Sequence, residues 1–168
     1  TGNSLYVAKE LEGDVRSIPQ VLHQKDLSFT AEKIGIVCPI YGHEMPRMVK
    51  EFIEKAEFRT PYFYMVLTYG ANHGGAAQIA DAFVQKAGKK ADYVTTVEMV
   101  DNFLPVFDME KQMAMDKQVE KQLERVKADI AACKKEIQKA TMKDKMVHKA
   151  FRASMARMKK APEAIWAD

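Results

Sequence analysis

Two short apolar runs constrain the fold more than anything else in the chain. "EKIGIVCPIY" (32–41) and "PYFYMVLTYG" (61–70) are apolar at almost every inner position and rich in β-branched and aromatic residues. A strand with one face in water alternates, whereas a short continuous run bounded by charge or proline reads as a strand covered on both faces. Each run leads through a Gly-containing loop into a helical period. "PRMVKEFIEKA" places Pro46 at a helix N-terminus and repeats apolar residues at 48, 49, 52, 53 and 56. "GGAAQIADAFVQKAG" closes on Gly88 as a C′ residue. A third apolar run, "ADYVTTVEMV", follows. The alternation of strand and helix predicts an α/β fold with a parallel sheet and right-handed crossovers.

Outside this unit the pattern is simpler. "LYVAKEL" reads as a short helix and "DVRSI" as a brief extended run. After Pro105, Val119, Leu123, Val126, Ile130, Cys133 and Ile137 recur at helical spacing. This predicts one long amphipathic helix over 108–138, packed on a face of the sheet, with the Cys133 thiol buried in its stripe. "DKMVHKAFRASMARM" predicts a further helix. The expected organisation is a core over 1–105 and amphipathic helices over 106–168, packed on that core or extending from it.

Composition excludes several classes. With 47% hydrophobic residues among 168, the chain can bury a core, and no apolar run approaches the ~18 residues of a membrane span. No charged-then-apolar leader is seen. Cys38 and Cys133 lie far apart and fit no disulfide framework, zinc site or iron–sulfur motif, so the expectation is a reduced, cytoplasmic protein. The net charge of +3 is uneven: residues 1–105 carry 11 basic and 13 acidic groups, and residues 106–168 carry 15 and 10. Basic residues without a platform of aromatics do not suggest nucleic-acid binding. A Lys- and Met-rich helical tail suits either gap-filling core packing or an adaptable docking face.

In an open α/β sheet the chemistry sits beyond the carboxyl ends of the strands. Three loops qualify. "TGNS" precedes the first helix. There Thr1, Gly2, Asn3 and Ser4 offer hydroxyls, an amide and free N–H groups at a helix N-terminus, which suit a phosphate. The same residues also make an ordinary capping turn. No Lys closes the loop, so it is not the nucleotide-triphosphate P-loop. "PIYGHEMP" sets Tyr41 beside Gly42, with Pro39 and Ile40 before them, where a planar ligand could stack. "TYGANHGGA" offers Thr68, Tyr69, Gly70, Asn72 and Gly75 to the edge of a heterocycle. His43 and His73 read either as solvated loop histidines or as donors to such a ring, Glu44 as a solvated carboxylate or a group beside the ring, and Cys38 as core or as a thiol near the ring.

Together the three loops resemble those of flavodoxins. T-G-N-S entering a helix is similar to the FMN phosphate loop, and the other two segments resemble the second and third flavin loops. "VEMVDNFLP" (97–105) resembles a segment of the flavodoxin-like domain at the N-terminus of bacterial flavodoxin–ferredoxin fusion proteins. The resemblance covers residues 1 to about 160 and implies a flavodoxin-like three-layer α/β/α sandwich. It implies FMN as cofactor, held by Thr1–Ser4, Pro39–Gly42 and Thr68–Gly75. It implies that the peptide at Tyr41–Gly42 turns to meet the flavin N5. It also implies a strand ahead of Thr1, central in a 2-1-3-4-5 sheet, and hence a chain shortened at its start. "AIWAD" resembles the lead-in to the ferredoxin module, so the implied partner is a ferredoxin-type iron–sulfur centre in the same or another chain.

No acid–base dyad or nucleophile triad can be assembled, which favours electron transfer over substrate transformation. Three functions are thereby expected to compete: an FMN electron carrier, an FMN-dependent NAD(P)H or quinone reductase, and a non-catalytic interaction module with a vestigial flavin site.

Overall fold

The computed structural model describes residues 2–100 and 115–158. In chain order these form α1 (Gly2–Glu10), α2 (Ile18–Val21), β1 (Ser28–Thr30), β2 (Ile34–Pro39), α3 (Arg47–Lys55), β3 (Glu57–Arg59), β4 (Phe63–Tyr69), α4 (Ala76–Lys86), β5 (Tyr93–Glu98), α5 (Val119–Ala131), β6 (Glu136–Ile137) and α6 (Met142–Met158). The fold is mixed α/β. A four-stranded sheet runs in the order β2-β4-β5-β6, and a small second sheet pairs β1 with β3. Every ladder is parallel.

The three apolar runs are the strands with helices on both faces. Along β4, Phe63, Met65 and Leu67 enter one core with Val49, Phe52 and Ile53 of α3 and Ala77, Ala80 and Val84 of α4. The alternate residue Val66 enters a second core with Val7 of α1 and Leu123, Val126 and Ile130 of α5. Successive strand side chains point to opposite faces. The continuous apolar run is therefore what a strand in this position requires.

The long helix expected over 108–138 is corrected. Residues 108–114 lie outside the described part. Within it, the helix spans only Val119–Ala131, and Glu136–Ile137 pair with Tyr93–Val94 at the edge of the main sheet. Cys133 is exposed rather than packed. Its φ of 51° ends the helix. The Lys134 N–H donates to the Asp129 carbonyl at 2.9 Å and that of Cys133 to Ile130 at 3.1 Å, the bond pair of a Schellman cap. Lys33 Nζ closes the end by donating to the Ile130 carbonyl at 2.7 Å. The apolar spacing runs on through residue 137 because Ile137 still packs inward, but from a strand.

The expected extended run at "DVRSI" makes no strand and gives way to a helical turn at Ile18. Residues 14–17 join no ladder, and Ile18–Val21 form a helical turn with Pro19 near its start. Among the described residues β2 pairs only with β4, so its other edge is open. The N–H groups of Ile34 and Ile40 donate toward β4, to Tyr62 and Thr68. By the alternation of a ladder, those of Gly35 and Val37 face the open edge. A cavity of about 950 Å³ runs along that edge, with Val15, Ser17 and Phe29 among its other walls. Among the described residues no helix is long and apolar enough to cross a membrane.

Candidate functional site

The parallel sheet brings the loops at its carboxyl edge together. The N-terminus of α1 meets the end of β4, where Ser4, 5% exposed, shares a 2.9 Å hydrogen bond between its Oγ and Oγ1 of buried Thr68. The Asn3 Nδ2 donates to the Val100 carbonyl at 2.9 Å, tying the first turn of α1 to the segment after β5. Gly2 faces open space where a Cβ would sit. Gly2 and Ser4 line the wide cavity at the end that also reaches Pro39 and Tyr41. The first N–H groups of a helix have no intrahelical partner. Thr1 lies outside the described residues.

The loop after β2 turns tightly. Ile40 N–H donates to the Thr68 carbonyl at 2.9 Å, which holds the loop against β4. The backbones of Tyr41 and Glu44 exchange hydrogen bonds of 2.9 and 3.1 Å around Gly42 and His43. Gly42 (φ 56°) and His43 (φ 68°) both take the left-handed conformation, as a type I′ turn requires. The turn points the two rings in opposite senses. Tyr41 is 58% exposed, whereas His43 is 8% exposed.

The loop after β4 satisfies itself. Asn72 Oδ1 accepts from the Gly74 N–H at 2.7 Å, His73 Nδ1 accepts from Gly75 N–H at 3.2 Å, and the His73 carbonyl accepts from Ala76 N–H. Three N–H groups at the start of α4 are thus used within the loop. Its glycines serve close approach instead. A Cβ on Gly74 would lie 2.3 Å from the His43 ring, and one on Gly75 2.9 Å from the Ala140 side chain. Tyr69 stacks edge-on against His73, and burial, then the Glu98 carboxylate, pushes its hydroxyl up to about 12. The Gly70 carbonyl faces Lys117 Nζ at 3.4 Å, and Lys117 also pairs with Glu98 at 2.6 Å.

Helix α6 adds a group of residues that the loop motifs do not announce. Thr141 and Asp144 cap each other: the Asp144 carboxylate accepts from the Thr141 N–H at 2.8 Å and its hydroxyl at 2.6 Å, and Asp144 N–H donates back to the hydroxyl at 3.2 Å. Asp144 also sits 3.5 Å from His73 Nε2. Burial opposes charge on this carboxyl, but the Thr141 bonds and the His73 charge hold it below the ordinary aspartate range. One turn on, His148 Nδ1 lies 3.3 Å from His43 Nδ1. The Phe151 ring packs edge-on against His43 at 4.9 Å between centroids and lies over Gly42. Arg152 reaches Glu44 at 4.0 Å, and Glu44 also pairs with Lys50. The Lys50 bond is the main cause holding the Glu44 carboxyl low. The legible signals were the T-x-x-D box at 141–144 and the spacing of 144, 148, 151 and 152 along one helix face.

At this edge the Asn3 amide, the Ser4–Thr68 hydroxyl pair and the N–H groups of Gly74, Gly75 and Ala76 are engaged within the chain, and Tyr41 is the exposed aromatic. Among the described residues no group of His, Cys, Asp and Glu could hold a metal ion. No family model, no curated protein and no solved structure matches the chain.

Proposed function

We propose that the chain is a flavodoxin-like FMN protein that carries electrons. The observation that supports this most is the meeting, at one edge of a parallel sheet, of the α1 N-terminus (Gly2–Ser4), the Pro39–Gly42 turn and the Thr68–Gly75 loop. The residues present fit the cofactor at two points. Open space at Gly2 and the positive end of the α1 dipole would take the phosphate, and exposed Tyr41 with Pro39 would face the flavin. When bound, FMN supplies the redox chemistry, while the chain binds it, orients it and sets its potential. The open edge of β2, with residues 14–17 across the cavity, leaves room for the further parallel strand of a flavodoxin-like order.

The partner we propose is an acidic, ferredoxin-type iron–sulfur module. Lys143, Lys145, Lys149, Arg152 and Arg157 of α6 are all exposed beside the same edge, and complementary charge steers such encounters. Stepwise anaerobic reduction of the FMN-loaded protein tests the carrier reading. Two separate one-electron potentials are expected. Rapid oxidation of NAD(P)H with a single two-electron step would favour a reductase instead.

A further inference from the structure

Helix α6 is held to the two loops by an unusual set of side chains. Its contacts with them run through Asp144 to His73, His148 to His43, Phe151 to His43 and Gly42, and Arg152 to Glu44. The central contact is between two imidazole nitrogens 3.3 Å apart. Such a contact needs one nitrogen to donate and the other to accept, so at least one ring must be neutral. With both rings protonated, two N–H groups and two positive charges would face each other. Few histidine positions are so constrained. His43 cannot swing away freely, because its backbone is fixed in a left-handed turn and its ring is wedged between Phe151 and the backbone of Gly74.

We propose that the His43–His148 pair is a pH-responsive clasp, which holds α6 over the β2–α3 and β4–α4 loops while one ring is neutral and releases it when both are protonated. Release uncovers Gly42, over which Phe151 now sits. The clasp stands on this geometry alone, whether or not FMN is the ligand of those loops.

The sign follows from the surrounding charges. His43 faces His148 and Asp144 from α6 and His73 from the β4–α4 loop; its neighbour Glu44 is engaged by Lys50 of α3 and Arg152 of α6. Burial, followed by the charges of His148 and His73, lowers the affinity of His43 for a proton, and only Asp144 acts the other way. Asp144 is committed twice to Thr141. Docked α6 therefore binds fewer protons than released α6. Docking is complete above the ordinary imidazole value of 6.5 and is lost as pH falls below it.

Hydrogen exchange of the protein without FMN, followed by mass spectrometry at pH 7.5 and pH 5.0 with intrinsic rates corrected, tests the clasp. Residues 142–158 are expected to lose protection at least tenfold at the lower pH, while 63–69 in β4 keep theirs. In His148→Gln the exchange of α6 should no longer depend on pH, and in His73→Gln the dependence should persist. Equal protection of α6 at both pH values in the parent would overturn the proposal. So would an undiminished pH response in His148→Gln, or its loss in His73→Gln alone.

Discussion

Ser4 Oγ and Thr68 Oγ1 lie 2.9 Å apart, and both residues are buried, at 5% and 3% exposure. The bond joins the first turn of α1 to the end of β4, so it sets how the N-terminus of that helix addresses the edge of the sheet. Losing one such hydrogen bond costs about 0.5–1.5 kcal/mol. Thr68→Val should destabilise the protein by roughly that amount. The Ser4→Ala, Thr68→Val double variant should lose less than the sum, with a coupling of about 0.5–1.5 kcal/mol. Urea unfolding of the four proteins measures it, and strict additivity would mean that the two hydroxyls do not act on each other.

Gly35 sits in β2 beneath the ring of Tyr64. A Cβ there would lie 2.2 Å from Tyr64 Cζ. Gly35→Ala must displace the ring, and overpacking of this kind costs about 1–3 kcal/mol. Adding Tyr64→Leu should recover part of the loss in thermal melts. A neutral Gly35→Ala would show that the ring has room to move into the cavity beside β2.

The two thiols should differ sharply. Burial pushes the Cys38 thiol up to about 12, and the residue is 1% exposed, whereas Cys133 is exposed. Since the thiolate is the reactive form, a disulfide reagent at pH 8 should titrate one thiol quickly. The second should react only on unfolding, at least about a hundredfold more slowly. Two fast thiols in the folded protein would contradict the packing of β2.

Cys133 also offers a stabilising change. It holds φ 51° as the residue just past α5, a conformation that costs an L-residue about 1–2 kcal/mol and glycine almost nothing. Cys133→Gly should raise the stability of the protein by about 1 kcal/mol, read as a higher urea midpoint at constant slope. A lower midpoint would mean that the side chain contributes packing worth more than the strain.

The legible and illegible parts of the fold separate along physical lines. β2, β4 and β5 could be read because burial on both faces demands continuous apolar residues, and α3 and α4 because their faces repeat. The end of α5 could not, because a Schellman cap that places cysteine where glycine is usual leaves no sequence mark, and Ile137 continues the apolar spacing from inside a strand. β1 and β3 are three-residue strands, and β3, Glu-Phe-Arg, is charged at both ends. Residues 14–17 have no partner strand among the described residues with which to form a ladder. At the site, the glycines marked the turns correctly at Gly42 and Gly75, both at positive φ. The role of α6 was hidden, since nothing local to "DKMVHKAF" says that its histidine meets one at position 43.

Gly2 separates cofactor binding from folding. A side chain there meets nothing within 4 Å, and a carboxylate at a helix N-terminus is favourable by about 0.3–1 kcal/mol. The same carboxylate would repel a phosphate held by that turn. Gly2→Asp should therefore melt no earlier than the parent yet bind FMN at least tenfold more weakly. Unchanged FMN affinity would remove the α1 N-terminus from the phosphate site.

The most direct test of the FMN reading compares FMN with riboflavin, which lacks only the phosphate, by quenching of flavin fluorescence on titration with the protein. One FMN should bind per chain, with riboflavin weaker by at least a hundredfold, equivalent to about 2.7 kcal/mol for the phosphate. Failure to quench FMN, or equal affinity for the two flavins, would contradict the account.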